Sequence, residues 1–188
     1  MPAIDANLAI AITTVLAAGV MRGFSGFGAA MLIVPVLSLI YGPPIAVAVM
    51  LVMEVPALIQ MLPETARHTA WRSVLTMAIP AMIVTPIGAY SLIVLDPDLM
   101  RRGIGLVVVM FVVVLAFGWR YHRQPGMAIT ISTGVISGFF GAAMGIGGPP
   151  VILYFLSGQF SAREVRANIT GYWSLRLIAI SAAYYWFG

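Results

Sequence analysis

The chain has 188 residues, 61% of them apolar and 9% charged, with a mean hydropathy of +1.02. So little charge cannot cover a soluble core of this size, and the chain reads as an integral membrane protein, a bundle of spans within one domain's length. Cysteine is absent, which excludes disulfides, thiol catalysis and cysteine-ligated metal. The basic residues are all arginine, and the net charge of +4 mostly reports cytoplasmic loops, so it gives no ground for a nucleic-acid partner.

Met1-Pro-Ala-Ile-Asp5 lacks the basic region of a cleavable signal, so the first apolar segment is expected to stay. That segment is Ala6 to Met21, and Gly23-Phe-Ser-Gly-Phe-Gly28 interrupts the chain after it. A shorter segment, Ala29 to Tyr41, follows. As helices the two measure roughly 20–24 Å against a hydrocarbon core of about 30 Å. They suit the arms of a re-entrant hairpin, with two short full spans as the alternative. Gly42-Pro-Pro44 ends one element and starts the next.

Ile45 to Leu62 reads as a full span with Glu54 near its centre and a kink expected at Pro56. Residues 63–72 form a polar loop with Glu64, Arg67, His68 and Arg72. Ser73 to Leu95 spans next, with Pro80 and Pro86 as kinks. Asp96-Pro-Asp98 is a helix-start signal in a loop ending at Arg102, and Gly103 to Trp119 spans again. Residues 120–126 form a basic loop with His122. Met127 onward is apolar until Gly138-Phe-Phe-Gly-Ala-Ala-Met-Gly-Ile-Gly-Gly-Pro-Pro150, which is too rich in glycine and proline to continue as regular helix. Val151 to Leu156, a polar loop at 157–166 and a last span from Ala167 to Phe187 complete the chain.

Arginine distribution orients these spans. Loop 63–72 carries Arg67 and Arg72, and loop 120–126 carries Arg120 and Arg123; two spans separate them, so both are expected in the cytoplasm. Loop 96–102 then lies outside, with two Asp balancing two Arg. Hairpins over 6–41 and 127–156 put the N-terminus outside and Arg163 and Arg166 inside.

Shifting the sequence by 115 residues superposes Gly19, Val20, Gly23, Phe24, Gly26, Pro35 and Val36 on Gly134, Val135, Gly138, Phe139, Gly141, Pro150 and Val151. That many identities in so short a stretch exceeds what apolar composition gives, and it points to internal duplication. An odd number of crossings separates the two units, so the second is inverted. The expected fold is all-α: a polytopic membrane helical bundle with inverted repeats and broken or re-entrant helices. Residues 1–126 form the first repeat and residues 127–188 an incomplete second one.

At these residues the chain resembles the sulfite exporter (TauE/SafE) family of anion transporters. The matching pieces are Gly19-x3-Gly23-Phe-x-Gly26-Phe-Gly28 with Pro35, and Gly134-x3-Gly138-Phe-x-Gly141 with Gly145-Ile-Gly-Gly-Pro-Pro150. Pro63-Glu-x3-His68 and Val165-Arg-Ala-Asn168 fit as well, and the resemblance covers nearly the whole chain. It implies a multi-pass carrier of the bacterial cytoplasmic membrane that moves sulfite or organosulfur anions. Members usually complete the second repeat, whereas counterparts of residues 73–119 are absent from it here. The expectation is either a truncated chain or a homo-oligomer in which a second copy supplies the missing half.

Half-helix ends at the two breaks would offer N–H groups and positive dipole ends to an anion, and glycine would let it approach the backbone. Simple helix packing of the Gly-x3-Gly type, at Gly19/Gly23 and Gly134/Gly138, is the plainer reading of the same glycines. The candidate substrate-binding residues are Arg22, Ser25, Gly26, Gly28, Gly141, Gly145, Gly147, Gly148, Asn168, Tyr172 and Arg176. Asn168, Tyr172 and Arg176 share one helical face, and the cost of a mid-span charge points that face inward. A guanidinium beside an amide and a phenol suits an oxyanion. Structural pairing with Glu54 or snorkelling are the competing roles for both arginines. Glu54 is expected to pair with Arg22 or Arg176, or else to stay protonated as a coupling group.

No catalytic residue, metal-ligand set or cofactor motif is assigned, and the expected partners are the bilayer and a small anion. The leading expectation is a secondary transporter or exporter of small sulfur-containing anions. An anion channel or a non-transporting scaffold subunit is the alternative. Gly23-Phe-Ser25-Gly26 also matches intramembrane serine proteases, but both histidines are expected in loops, away from Ser25.

Overall fold

In the computed structural model, residues 5–25, 28–117, 126–158 and 160–187 are described, and every regular element among them is helical. The helices are α1 (Ala6–Ser25), α2 (Ala29–Tyr41), α3 (Pro43–Thr65), α4 (Trp71–Val94), α5 (Pro97–Ala116), α6 (Met127–Met144), α7 (Gly148–Ser157) and α8 (Ala162–Phe187); a 3-10 turn at Ala66–His68 joins α3 to α4. Windows in α1, α3, α4, α5 and α6 are long and apolar enough to cross a membrane, and α2 and α7 are shorter apolar helices; α8, expected as the last span, is long but less apolar and is not among these candidates. Large apolar side chains point outward throughout, Leu39, Ile83 and Leu106 each at least 70% exposed. A surface like that is stable only against lipid. The chain is a polytopic helical membrane bundle.

Local chemistry sets the helix boundaries. Asp96 caps α5: its Oδ1 accepts from the Asp98 N–H at 2.9 Å and the Leu99 N–H at 3.1 Å, with Pro97 at the first helical position. The helix-start signal in Asp96-Pro-Asp98 is thus used as the sequence suggests. At α8, the Ser161 N–H and hydroxyl both donate to Glu164 Oε2, at 2.8 and 2.7 Å, while Glu164 N–H donates back to Ser161 Oγ. These hydrogen bonds hold the Glu164 carboxyl below its ordinary pKa. Several boundaries depart from expectation. α5 begins at Pro97 rather than Gly103 and α8 at Ala162 rather than Ala167, so Arg101, Arg102, Arg163 and Arg166 lie on helices rather than in loops. α3 runs through Pro56 and Pro63 to Thr65, so the loop before α4 is shorter than residues 63–72. α1 extends through Gly23 to Ser25, so it is a long helix rather than a half-length one.

Small residues fix the central pairing, that of α4 with α6. Gly138 lies so close to Ala81 that an added Cβ would meet its carbonyl oxygen at 2.5 Å, and Gly134 presses likewise on the Met77 carbonyl. Gly88 in turn faces Phe139 and Ala142. Residues one turn apart on α6 thus meet residues one turn apart on α4, and the two helices run in the same direction. Here the plainer reading of Gly134/Gly138 holds. Regular helix continues to Met144, so Gly138 and Gly141 are not in the break, which is confined to residues 145–147.

Two antiparallel hairpins, α1–α2 and α6–α7, carry the breaks. The first half of α1 lies beside the second half of α2 and the start of α3, with Leu8, Ile12, Leu37, Tyr41 and Ile45 around one apolar hollow. α7 folds back along α6, where Thr130 Oγ1 and Tyr154 Oη share a hydrogen bond of 2.7 Å. Thr69 Oγ1 bonds the Ala167 carbonyl, and the Ala70 N–H donates to Asn168 Oδ1, which sets the start of α8 beside the start of α4. α6 and α8 therefore begin at the end of the bundle bearing Arg67, Arg72, Arg163 and Arg166, while the α1–α2 hairpin opens at the opposite end. The tips of the two hairpins approach each other from opposite ends. Both tips carry a glycine with positive φ, Gly28 at 92° and Gly145 at 69°, where any side chain would be strained. These glycines are 117 positions apart rather than 115, so the breaks lie two residues out of the ungapped register.

Candidate functional site

A buried cavity of about 30 Å³ lies where the hairpin tips meet. Gly28 and the first turn of α2 line one side; Gly145, Ile146, Gly148 and Pro149 line the other. The starts of two short helices thus border one space, each with a positive dipole end; Pro149 and Pro150 lack N–H groups, so α7 presents fewer free donors there than α2. Arg22, Glu54, Trp173 and Arg176 complete the lining.

Arg22 stands on the last turn of α1. Its Nη1 is 3.8 Å from Glu54 Oε1, an ion pair too long for a hydrogen bond, and its guanidinium lies 5.6 Å above the Trp173 ring. Its Nε is buried without a hydrogen-bond partner. Glu54, on the middle of α3, is 5% exposed. Of the two arginines that could pair with Glu54, the structure selects Arg22.

Arg176 is 5% exposed on α8 and has no ion pair among the described residues. Its guanidinium fits between two glycines. A Cβ on Gly141 would sit 2.6 Å from Nη1 and 2.9 Å from Cζ, and one on Gly147 would also sit 2.6 Å from Nη1. Gly141 lies inside α6, so its N–H belongs to the helix, and it is not among the residues that line the cavity. What Gly141 and Gly147 provide is room for an arginine at the break. A buried cation without an opposite charge beside it is costly, which marks Arg176 as a residue with a role. Formal charges at the cavity are two positive and one negative.

The polar stripe of α8 points inward, as its spacing suggests, but only Arg176 reaches the cavity. Tyr172, fully buried, donates to Ser137 Oγ at 2.9 Å, and Ser137 donates to the Gly147 carbonyl, so the break is tied to α6 and α8. Asn168 accepts from the start of α4, and its Nδ2 is buried without a hydrogen-bond partner. Gly28, Gly145 and Gly148 border the cavity. Gly26 lies outside the described residues, as do Arg120, His122 and Arg123. Ser25 ends α1, and its side chain is likewise outside the description. Sequence reading missed Trp173 and Ser137. Trp173 was accessible to it, being three residues before Arg176 on the same face; nothing local marks Ser137.

Among the described residues, no cluster of His, Asp and Glu could hold a metal ion. Opposed broken hairpins that meet at a cationic cavity inside a polytopic bundle are the architecture of a membrane transporter. Residues 11–188 match the family described as sulfite exporter TauE/SafE, and the chain belongs to that family. Nothing matches it among curated proteins or solved structures.

Proposed function

We propose that the protein is a secondary carrier of small sulfur oxyanions, sulfite foremost, in a bacterial cytoplasmic membrane. One observation carries the reading: two buried guanidiniums with a single carboxylate between them, at the meeting point of two helix starts. One formal positive charge is left over for a monovalent anion. Arg176 offers a planar fork to two oxygens, and Arg22 can turn from its loose contact with Glu54 to the ligand. Family membership supports the substrate class. The small cavity favours an inorganic oxyanion over a bulky organosulfonate.

A carrier fits better than an open channel. From the cavity's edge toward the end where α1 begins, Ile33, Val34, Leu37, Val47 and Ile146 are all at most 2% exposed and belong to one apolar cluster, which acts as a seal in this reading. Glu54 is the coupling candidate: an anion that takes Arg22 from it leaves a buried carboxylate whose cheapest remedy is a proton. The test is uptake of radiolabelled sulfite into proteoliposomes. Saturable exchange with trans-side sulfite supports the carrier. Flux that does not saturate and shows no exchange refutes it in favour of a channel; no flux at all refutes both.

A further inference from the structure

A second, larger cavity of about 450 Å³ adjoins the buried one, and Arg22, Ala29 and Met50 line both. From Arg22 it extends past Met53, Gln60 and Met61 to Arg166 on the first turns of α8. Gln60 and Met61 are near the end of α3, and the start of α8 is fastened to the loop after α3 by the Thr69–Ala167 and Ala70–Asn168 hydrogen bonds. The cavity therefore leads from mid-bundle to the end that bears Arg67, Arg72 and Arg163. By the positive-inside rule that end is cytoplasmic. The hollow of about 420 Å³ at the other end meets this cavity at Val15, but it has no charged lining residue and shares none with the buried site.

We infer that this cavity is the cytoplasmic vestibule of the carrier, that Arg166 is its anion-collecting residue, and that the structure is the inward-facing state. This rests on the carrier reading above. The vestibule is bordered by two arginines and no carboxylate among the described residues, since Glu54 faces only the smaller cavity. A one-sided charge in a hollow with low-dielectric walls raises the local concentration of anions and excludes cations. Arg166 is exposed and has no ion pair among the described residues, so its charge is not cancelled. An anion drawn in at Arg166 meets Arg22 next. Arg22 borders both cavities, so its side chain can hand the ion to the inner space beside Arg176.

The chain has no cysteine, so single substitutions report directly. Gln60→Cys, with Met61→Cys as a second position, is treated with an anionic and a cationic methanethiosulfonate of similar size, on inside-out vesicles and on intact cells. The expected result is modification from the cytoplasmic side only, faster for the anionic reagent. Arg166→Gln should lower the anionic-to-cationic rate ratio about two- to tenfold, the size of one unit charge several ångströms away in a partly hydrated cavity. Arg166→Lys should keep the ratio. Cysteines silent from both sides would mean that lipid fills the hollow. Reaction from outside only, or a ratio indifferent to Arg166→Gln, would equally overturn the proposal. Sulfite flux in proteoliposomes is scored separately. No flux with this labelling pattern intact sinks the carrier reading and leaves the water-filled vestibule standing; flux with both cysteines silent sinks the vestibule alone.

Discussion

Gly141→Ala is the sharpest test of the site, because it adds one methyl to a residue that touches no ligand. The new Cβ would lie 2.6 Å from Arg176 Nη1 and 2.9 Å from Cζ, well inside contact distance. Gly147 also packs on the guanidinium, with its own Cβ position 2.6 Å from Nη1, so the open direction for Arg176 is the cavity it lines. The guanidinium must move by most of an ångström and lose its aim. A hydrogen bond to a charged group is worth about 1.5–3 kcal/mol, so anion affinity should fall about ten- to hundredfold. Folding should be nearly spared, because a side-chain tip yields where backbone would not. Gly138→Ala supplies the contrast: its Cβ would meet the Ala81 backbone, with the carbonyl oxygen at 2.5 Å, so helix spacing and stability should suffer by about 1–3 kcal/mol. Gly23→Ala, with nothing within 4 Å, should leave both properties alone. Sulfite titration followed by tryptophan fluorescence, in a background where Trp71, Trp119 and Trp186 are replaced by Phe so that Trp173 beside the cavity reports alone, gives affinity, and thermal unfolding in detergent gives stability. Unchanged affinity in Gly141→Ala would refute the view that a glycine seat positions Arg176.

Arg176→Lys keeps the charge but loses the fork, so sulfite binding should weaken, and Arg176→Gln should weaken it further; normal affinity in a folded Arg176→Gln protein would remove Arg176 from the site. Glu54→Gln raises the formal charge at the cavity from one positive to two, so equilibrium anion binding should tighten while turnover slows, measured by binding and by flux on one preparation. Because Glu54 pairs with Arg22, stability lost in Arg22→Gln should be partly recovered on adding Glu54→Gln, whereas Arg176→Gln should gain nothing from it; the double-mutant cycle in thermal unfolding decides. Cysteine at Arg67 should resist an impermeant reagent outside intact cells and react in inside-out vesicles, and the opposite pattern would reverse the orientation.

The sequence by itself determined the membrane class, the order of the apolar helices and the presence of two interruptions, though α5 and α8 begin several residues earlier than expected and the second interruption is confined to residues 145–147. These depend on quantities local to the chain: runs of apolar residues, glycine and proline at the breaks, and Asp96 before Pro97 as a cap. It also singled out Arg22, Glu54 and Arg176, because a charge within an apolar run is costly wherever the run ends up. Which arginine Glu54 meets was undetermined, since the choice depends on how α1 and α8 lie against α3. The glycines show the same limit. Gly134, Gly138, Gly141 and Gly147 look alike as letters, yet two let α6 approach α4 and two make room for a guanidinium. A missing Cβ acquires a meaning only from the atom that occupies its place, and that atom comes from a helix distant in the sequence. Tertiary structure alone decided that Asn168 secures the start of α4, that Tyr172 holds the break through Ser137, and that Arg176 is left facing the cavity. Spacing gave these three residues one face, and packing gave each a different neighbour.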